Sequence, residues 1–305
     1  MAEDPSSLYR AETLSEISSL SLRAITLVEG LLSGQHRSPH KGSSVEFAEY
    51  KAYTPGDDIR HIDWKVVGKT DKYHVKQFEQ STNLKCTILL DTSGSMGYAS
   101  PLKKQDAMPK AQYVRTLVAA FSYLLLKQFD AVGLITFNQS ITAHIPPRSK
   151  PSHFQHILHA LANCEFQGET HISRVVGDII ERLPGRGMVI VISDLLVRDD
   201  DVLKTLKLLC SRGLEVLLFQ VLHPDELHLP FDGDIMFESL ENDPPVGLDP
   251  ADVREQYQEA VQEFIGHFQT NCPSLGIDYQ FLDTATPLEQ ALRYYLLRRK
   301  SLLKL

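Results

Sequence analysis

Apolar and polar positions along this chain fall into blocks, and the period of each block predicts its element. Ile17, Leu20, Ala24, Leu27, Val28 and Leu31 recur at spacings of three and four, which predicts an opening amphipathic helix that Gly34 can stop. A polar stretch from Gly34 to Phe47 reads as loop, and two aromatic-rich pieces then flank the turn signal Pro55-Gly56-Asp57. Val75–Phe78 reads as a short strand. Cys86–Asp91, Gly187–Ser193 and Leu214–Val221 are short continuous apolar runs, the form taken by strands buried on both faces of a parallel sheet. Ala131–Phe137 and Ser140–Ile145 flank Asn138-Gln139 as a hairpin would, and Ile277–Leu282 supplies one more strand. Helical periods fall between them, over Lys110–Gln128, His153–Asn163, Ile172–Leu183, Asp201–Arg212, Asp252–Gln269 and Leu288–Arg298. Strand and helix alternating in this way predict an α/β fold, a doubly wound and mostly parallel sheet covered by helices on both faces. Residues 84–305 form that domain, with an inserted loop or hairpin near 223–249. Residues 1–83, the opening helix and the segment after it, are expected to pack on it because their apolar stripe needs a partner surface.

Composition narrows the function classes. Hydrophobic residues make up 43% and charged residues 23% of 305, enough for a sizeable core. Lysine and arginine total 31 against 39 acids, a net charge of -8, which argues against nucleic acid as a partner because a dense basic face is needed to replace counterions. No apolar run approaches the roughly 20 residues of a membrane span, and the start shows no export signal, so a cytoplasmic location is expected. Cys86, Cys164, Cys210 and Cys272 lie far apart with no CxxC pair, which favours core thiols over a disulfide framework or a zinc site.

Candidate chemistry sits where open α/β sheets put it, at the carboxyl ends of strands. One strand runs into Asp91-Thr92-Ser93-Gly94-Ser95, another into Ser193-Asp194, and a third loop brings Thr170 just ahead of a helix. Three hydroxyls and two carboxylates suit a hard cation that wants oxygen ligands, magnesium first, with manganese or calcium as substitutes. The plainer alternative is that Asp91 and Thr170 only cap helices.

The Asp91-Thr92-Ser93-Gly94-Ser95 loop, Thr170 and Asp194 resemble the five positions of the metal-ion-dependent adhesion site of von Willebrand factor A domains. The resemblance implies that Ser93, Ser95 and Thr170 give hydroxyl oxygens while Asp91 and Asp194 act through water. It also implies a six-stranded sheet whose Ser140–Ile145 strand runs antiparallel at an edge. The segments GSSVEFAEYKAYTPGDDIRHIDWK and VKQFEQ, with DAVGLITF, VISDLL and LPFDGDIMFESLE, resemble the domain-of-unknown-function 58 family. Members of that family are typically encoded beside MoxR-type AAA+ ATPases, which implies a partner class and not a reaction.

Other features carry two readings. Asp57, Asp58, Arg60, Asp63 and Trp64 form either a docking surface, with Arg60, Asp63 and Trp64 as contacts, or an internal ion-pair network. His153, His156 and His159 read as a solvated helix face. The basic tail from Arg298 to Leu305 allows weak contact with anionic lipid or a partner groove, although the helix dipole explains Arg298 and Arg299 equally well. Taken together, the expectation is a non-catalytic, divalent-metal-dependent protein-interaction module. Its protein partner, a MoxR-type AAA+ ATPase, would supply an Asp or Glu to the metal. The alternative is a magnesium-dependent phosphohydrolase using Asp91, which Ser93 weakens by standing where an acid/base carboxylate would be needed.

Overall fold

In the computed structural model the described residues are 11–33, 46–52, 74–79, 84–102, 107–196, 201–241 and 243–302. The strands are β1 (Glu46–Ala52), β2 (His74–Glu79), β3 (Lys85–Asp91), β4 (Ala131–Phe137), β5 (Ile141–Arg148), β6 (Gly187–Ser193), β7 (Leu214–Leu222), β8 (Ile235–Phe237), β9 (Val246–Leu248) and β10 (Ile277–Asp283). The helices are α1 (Ala11–Ser33), α2 (Lys110–Lys127), α3 (His153–Ala162), α4 (Ile172–Ile179), α5 (Val202–Ser211), α6 (Pro224–His228), α7 (Pro250–Ser274) and α8 (Leu288–Leu302). Six strands form the main sheet in the order β10-β7-β6-β3-β4-β5. Every pair is parallel except β4 with β5, so the single reversed strand lies at an edge. This is the doubly wound order, with its switch between β3 and β6.

The apolar runs explain the two helical layers. Along β3, Cys86, Ile88 and Leu90 face one layer and Leu89 the other; Met188, Ile190 and Ile192 alternate in the same way with Val189 and Val191 along β6. The first layer contains α1, α2, α3 and α8, the second α4, α5 and α7. Leu20, Ala24, Val28 and Leu31 of α1 are buried in the first layer, against α2, α3 and α8.

The edge strand β5 runs on to Arg148 through Pro146 and Pro147, past the predicted end at Ile145. Proline lacks the N–H of a central strand but is tolerated at an edge. Opposite it the register shifts between Val132 and Leu134. There a Cβ on Gly133 would lie 2.7 Å from the Ile145 carbonyl oxygen and 2.8 Å from the Pro147 nitrogen. Residues 223–249 hold the short helix α6 and the antiparallel pair β8–β9. A second antiparallel pair, β1–β2, lies within the N-terminal segment.

One sequence expectation needs correction. His153 is buried and its Nε2 lies 2.9 Å from the Val132 carbonyl oxygen, so it ties α3 to β4 and does not belong to a solvated face. Arg298 pairs with Asp278 at 2.7 Å and Arg299 with Asp130 at 2.5 Å, and residues 303–305 of the basic tail lie outside the described residues. The Asp57, Asp58, Arg60, Asp63 and Trp64 cluster lies outside the described residues.

Candidate metal centre

Asp91 closes β3, where both faces of the strand are covered, so its carboxylate must find partners at the strand end. One oxygen accepts the Ser93 N–H at 2.9 Å and the other the Ser193 hydroxyl at 2.6 Å. The first bond bends the chain into a turn, and the hydroxyls of Ser93 and Ser95 come to 3.2 Å of each other. Thr92 anchors the loop, its N–H and hydroxyl both donating to the Phe137 carbonyl at 2.7 and 2.9 Å. A 3-10 turn, Ser95–Gly97, follows.

The second loop leaves β6. Asp194 is fully buried; its Oδ1 accepts the Leu196 N–H at 3.1 Å and its Oδ2 the Lys110 ammonium at 2.7 Å. The third loop, between α3 and α4, is bonded to the first: Gly94 N–H donates to the Gly168 carbonyl at 2.8 Å and Gln167 N–H to the Thr92 carbonyl at 3.0 Å. Two residues further on, Thr170 is 5% exposed and its hydroxyl has no hydrogen-bond partner among the described residues. Asp91, Ser93, Ser95, Thr170 and Asp194 thus all belong to loops that meet at the switch between β3 and β6.

Sequence reasoning missed three charged residues here. Lys110, at the first turn of α2, is 0% exposed and bridges Asp194 and Glu226, the latter at 2.9 Å. Glu226 reaches it from the capping box of α6, in which the His223 N–H donates to Glu226 Oε2 and the Asp225 N–H to His223 Nδ1. His-Pro-Asp-Glu carries that box in the sequence, with proline at the first helical position and glutamate at the third. The third is Glu241, whose Oε1 accepts the Ser95 N–H at 3.2 Å; no local signal marks it.

The charges are unevenly neutralised. Burial, and next the charge of Asp194, push the Asp91 carboxyl up to about 7 against the hydrogen bonds from Ser193 and Ser93. Burial alone would lower Lys110, but Asp194 and Glu226 outweigh it and hold the ammonium above its usual range. Glu226 is raised, mainly by burial, with Lys110 opposing. One lysine therefore serves two carboxylates, and among the described residues no cation pairs with Asp91.

These donors fit a hard divalent cation. All are oxygens, a buried hydroxyl stands unpartnered, and two buried carboxylates repel each other at the point where positive charge would relieve them. Among the described residues no three His, Cys, Asp or Glu gather as a ligand cluster, in keeping with a set dominated by hydroxyls. No helix among the described residues is long and apolar enough to cross a membrane.

Beside this centre is an apolar cavity of about 620 Å³ between the Tyr98–Leu102 segment and the β8–β9 pair, with Ile235, Met236, Val246 and Tyr257 in its walls. Tyr98 closes one side through a 2.8 Å bond from its hydroxyl to Asp225.

Comparison with known proteins places the chain. It is 26% identical over 269 residues to the uncharacterized protein Rv1480 of Mycobacterium tuberculosis, covering 84% of this chain and 82% of that one. It is 26% identical over 135 residues to the uncharacterized protein YeaD of Bacillus subtilis, covering 44% and 30%. Among solved structures, BatB of Bacteroides thetaiotaomicron superposes with a TM-score of 0.46 at 17% identity, over 72% of this chain and 99% of that one. The VWA domain of SpRpn10 gives 0.39 at 12% identity, over 68% and 93%. At that level the fold rests on the strand order described above. The family model described as protein of unknown function DUF58 matches residues 49–264, more than half of the chain, and the chain belongs to that family.

Proposed function

We propose that this chain is a non-catalytic, cytoplasmic, metal-dependent protein-interaction module whose centre is built from Asp91, Ser93, Ser95, Thr170 and Asp194. One observation carries the reading: the buried Thr170 hydroxyl, unpartnered among the described residues, lies on a loop bonded directly to the loop of the buried Asp91. Ser93, Ser95 and Thr170 would hold magnesium directly, and Asp91 and Asp194 through water. A neutral inner shell leaves the cation electrophilic toward an anionic oxygen, which a partner's Asp or Glu would supply. The resemblance to the family's MoxR-linked members makes an AAA+ ATPase of that type the partner class. Phosphoryl chemistry through Asp91 is the weaker reading, because both of its carboxylate oxygens are engaged by Ser93 and Ser193 in shaping the loop.

Titration calorimetry with manganese and magnesium tests the centre. The full chain should take up metal, and Asp91→Ala and Thr170→Ala should each weaken uptake by about tenfold or more. Equal uptake in both variants removes the assignment. Co-purification of the ATPase that is lost in EDTA and restored by magnesium supports the partner; co-purification indifferent to chelator refutes it.

A further inference from the structure

The described residues of the segment joining β8 to β9 are exposed except Glu241, yet the segment does not stand clear of the domain. It turns back onto the Asp91–Ser95 loop, and the contact is closer than any residue but glycine allows: a Cβ on Gly94 would lie 2.0 Å from the Leu240 carbonyl oxygen. Gly94 has ordinary helical backbone, with φ -58, so conformational freedom is not what requires glycine there. Proximity is. The next residue of the segment, Glu241, accepts the Ser95 N–H at 3.2 Å, and Ser95 is itself one of the three hydroxyl residues of the centre. Glu241 is braced for this position, its own N–H donating to the Ser239 hydroxyl at 3.0 Å.

We propose that Glu241 is the anionic occupant that the chain supplies to its own metal centre, so that the β8–β9 hairpin holds the partner's place until it is displaced. The inference rests on the metal reading above and goes beyond it. Its basis is electrostatic. Asp91 and Asp194 repel each other at the centre, and Lys110 is committed to Asp194 and Glu226. Among the described residues no lysine or arginine pairs with Glu241. A further carboxylate held on the Ser95 N–H adds negative charge to that loop, which a bound cation would offset. The unpartnered Thr170 hydroxyl points independently to the same missing ligand.

The hairpin is also built to release its tip. Behind it lies the cavity of about 620 Å³, and its Met236 and Val246 are 63% and 51% exposed. Ile235, Phe237 and Leu248 stay partly buried, so only the Leu240-Glu241 tip need move. A partner carboxylate that bound the cation more tightly would lift the tip without unfolding the domain.

Manganese bound to the full chain, read by water-proton relaxation with acetate as the carboxylate probe, tests this. Glu241→Ala removes the carboxylate; Gly94→Ala keeps every residue of the centre and lifts the tip by steric contact. In both variants manganese should bind about tenfold more weakly, because a ligand-side partner is lost. In both, relaxation per bound ion should rise as water enters the vacated position, and acetate should then reduce it. The wild-type chain should respond little to acetate. Wild-type relaxation and acetate response in both variants would overturn the role of Glu241 while leaving the metal centre standing. Failure of the wild-type chain to bind manganese would overturn both.

Discussion

Asp91 is pulled two ways. Hydrogen bonds from Ser93 and Ser193 favour its charged form, while burial and Asp194 favour the neutral one and win, setting it at about 7. The native state then holds a proton that the unfolded chain, with Asp91 near 3.8, has already lost. Stability from this group is therefore present at low pH and declines as pH rises between about 4 and 7. In chelator, the melting temperature of wild type minus that of Asp91→Asn should fall over the accessible part of that window, from about pH 5 to pH 7. Magnesium added above it should restore wild type, since a divalent charge takes over the role of the proton. A flat difference would show that Asp91 is not strained by its charge. Asp91, Ser93, Ser95, Thr170 and Asp194 were legible because acids and hydroxyls directly follow strands or precede a helix. Lys110, Glu226 and Glu241 were not, because each enters from an element whose own pattern says nothing about where its charged tip will end.

At the scale of elements, short continuous apolar runs located the central strands, because both faces of the sheet are covered. The parallel core tolerated no ambiguity: β6 begins and ends where its apolar run does, at Gly187 and Ser193. Edges were less legible. β5 continues through two prolines past the expected end at Ile145, because an edge strand can spare the hydrogen bonds that proline lacks. That continuation depends on Gly133, which lets β4 approach the Ile145–Pro147 stretch. Gly133→Ala should therefore destabilise the domain by about 1–3 kcal/mol, since the added methyl meets backbone and not a movable side-chain end. Urea denaturation reads this directly, and an unchanged midpoint would show that β5 shifts without cost.

On the scale of the whole molecule, α1 belongs to the first helical layer. Leu20, Val28 and Leu31 are buried there, each worth roughly 1.5–3 kcal/mol against exposure. Their sum approaches the 5–15 kcal/mol that typically separates folded from unfolded states. A chain beginning at residue 84 should consequently melt far below the full chain and bind an apolar dye; equal melting would show that α2, α3 and α8 close without α1. The placement of α1 also bears on synthesis. Its apolar stripe leaves the ribosome ahead of its partners, since α2 and α3 come much later and α8 later still. Long-range closure of this kind is slow, and surface left uncovered meanwhile invites association. For most of translation, then, the nascent chain carries an adhesive helix with nothing native to hold, and a chaperone that shields it until residue 302 has emerged would decide how much protein is made whole.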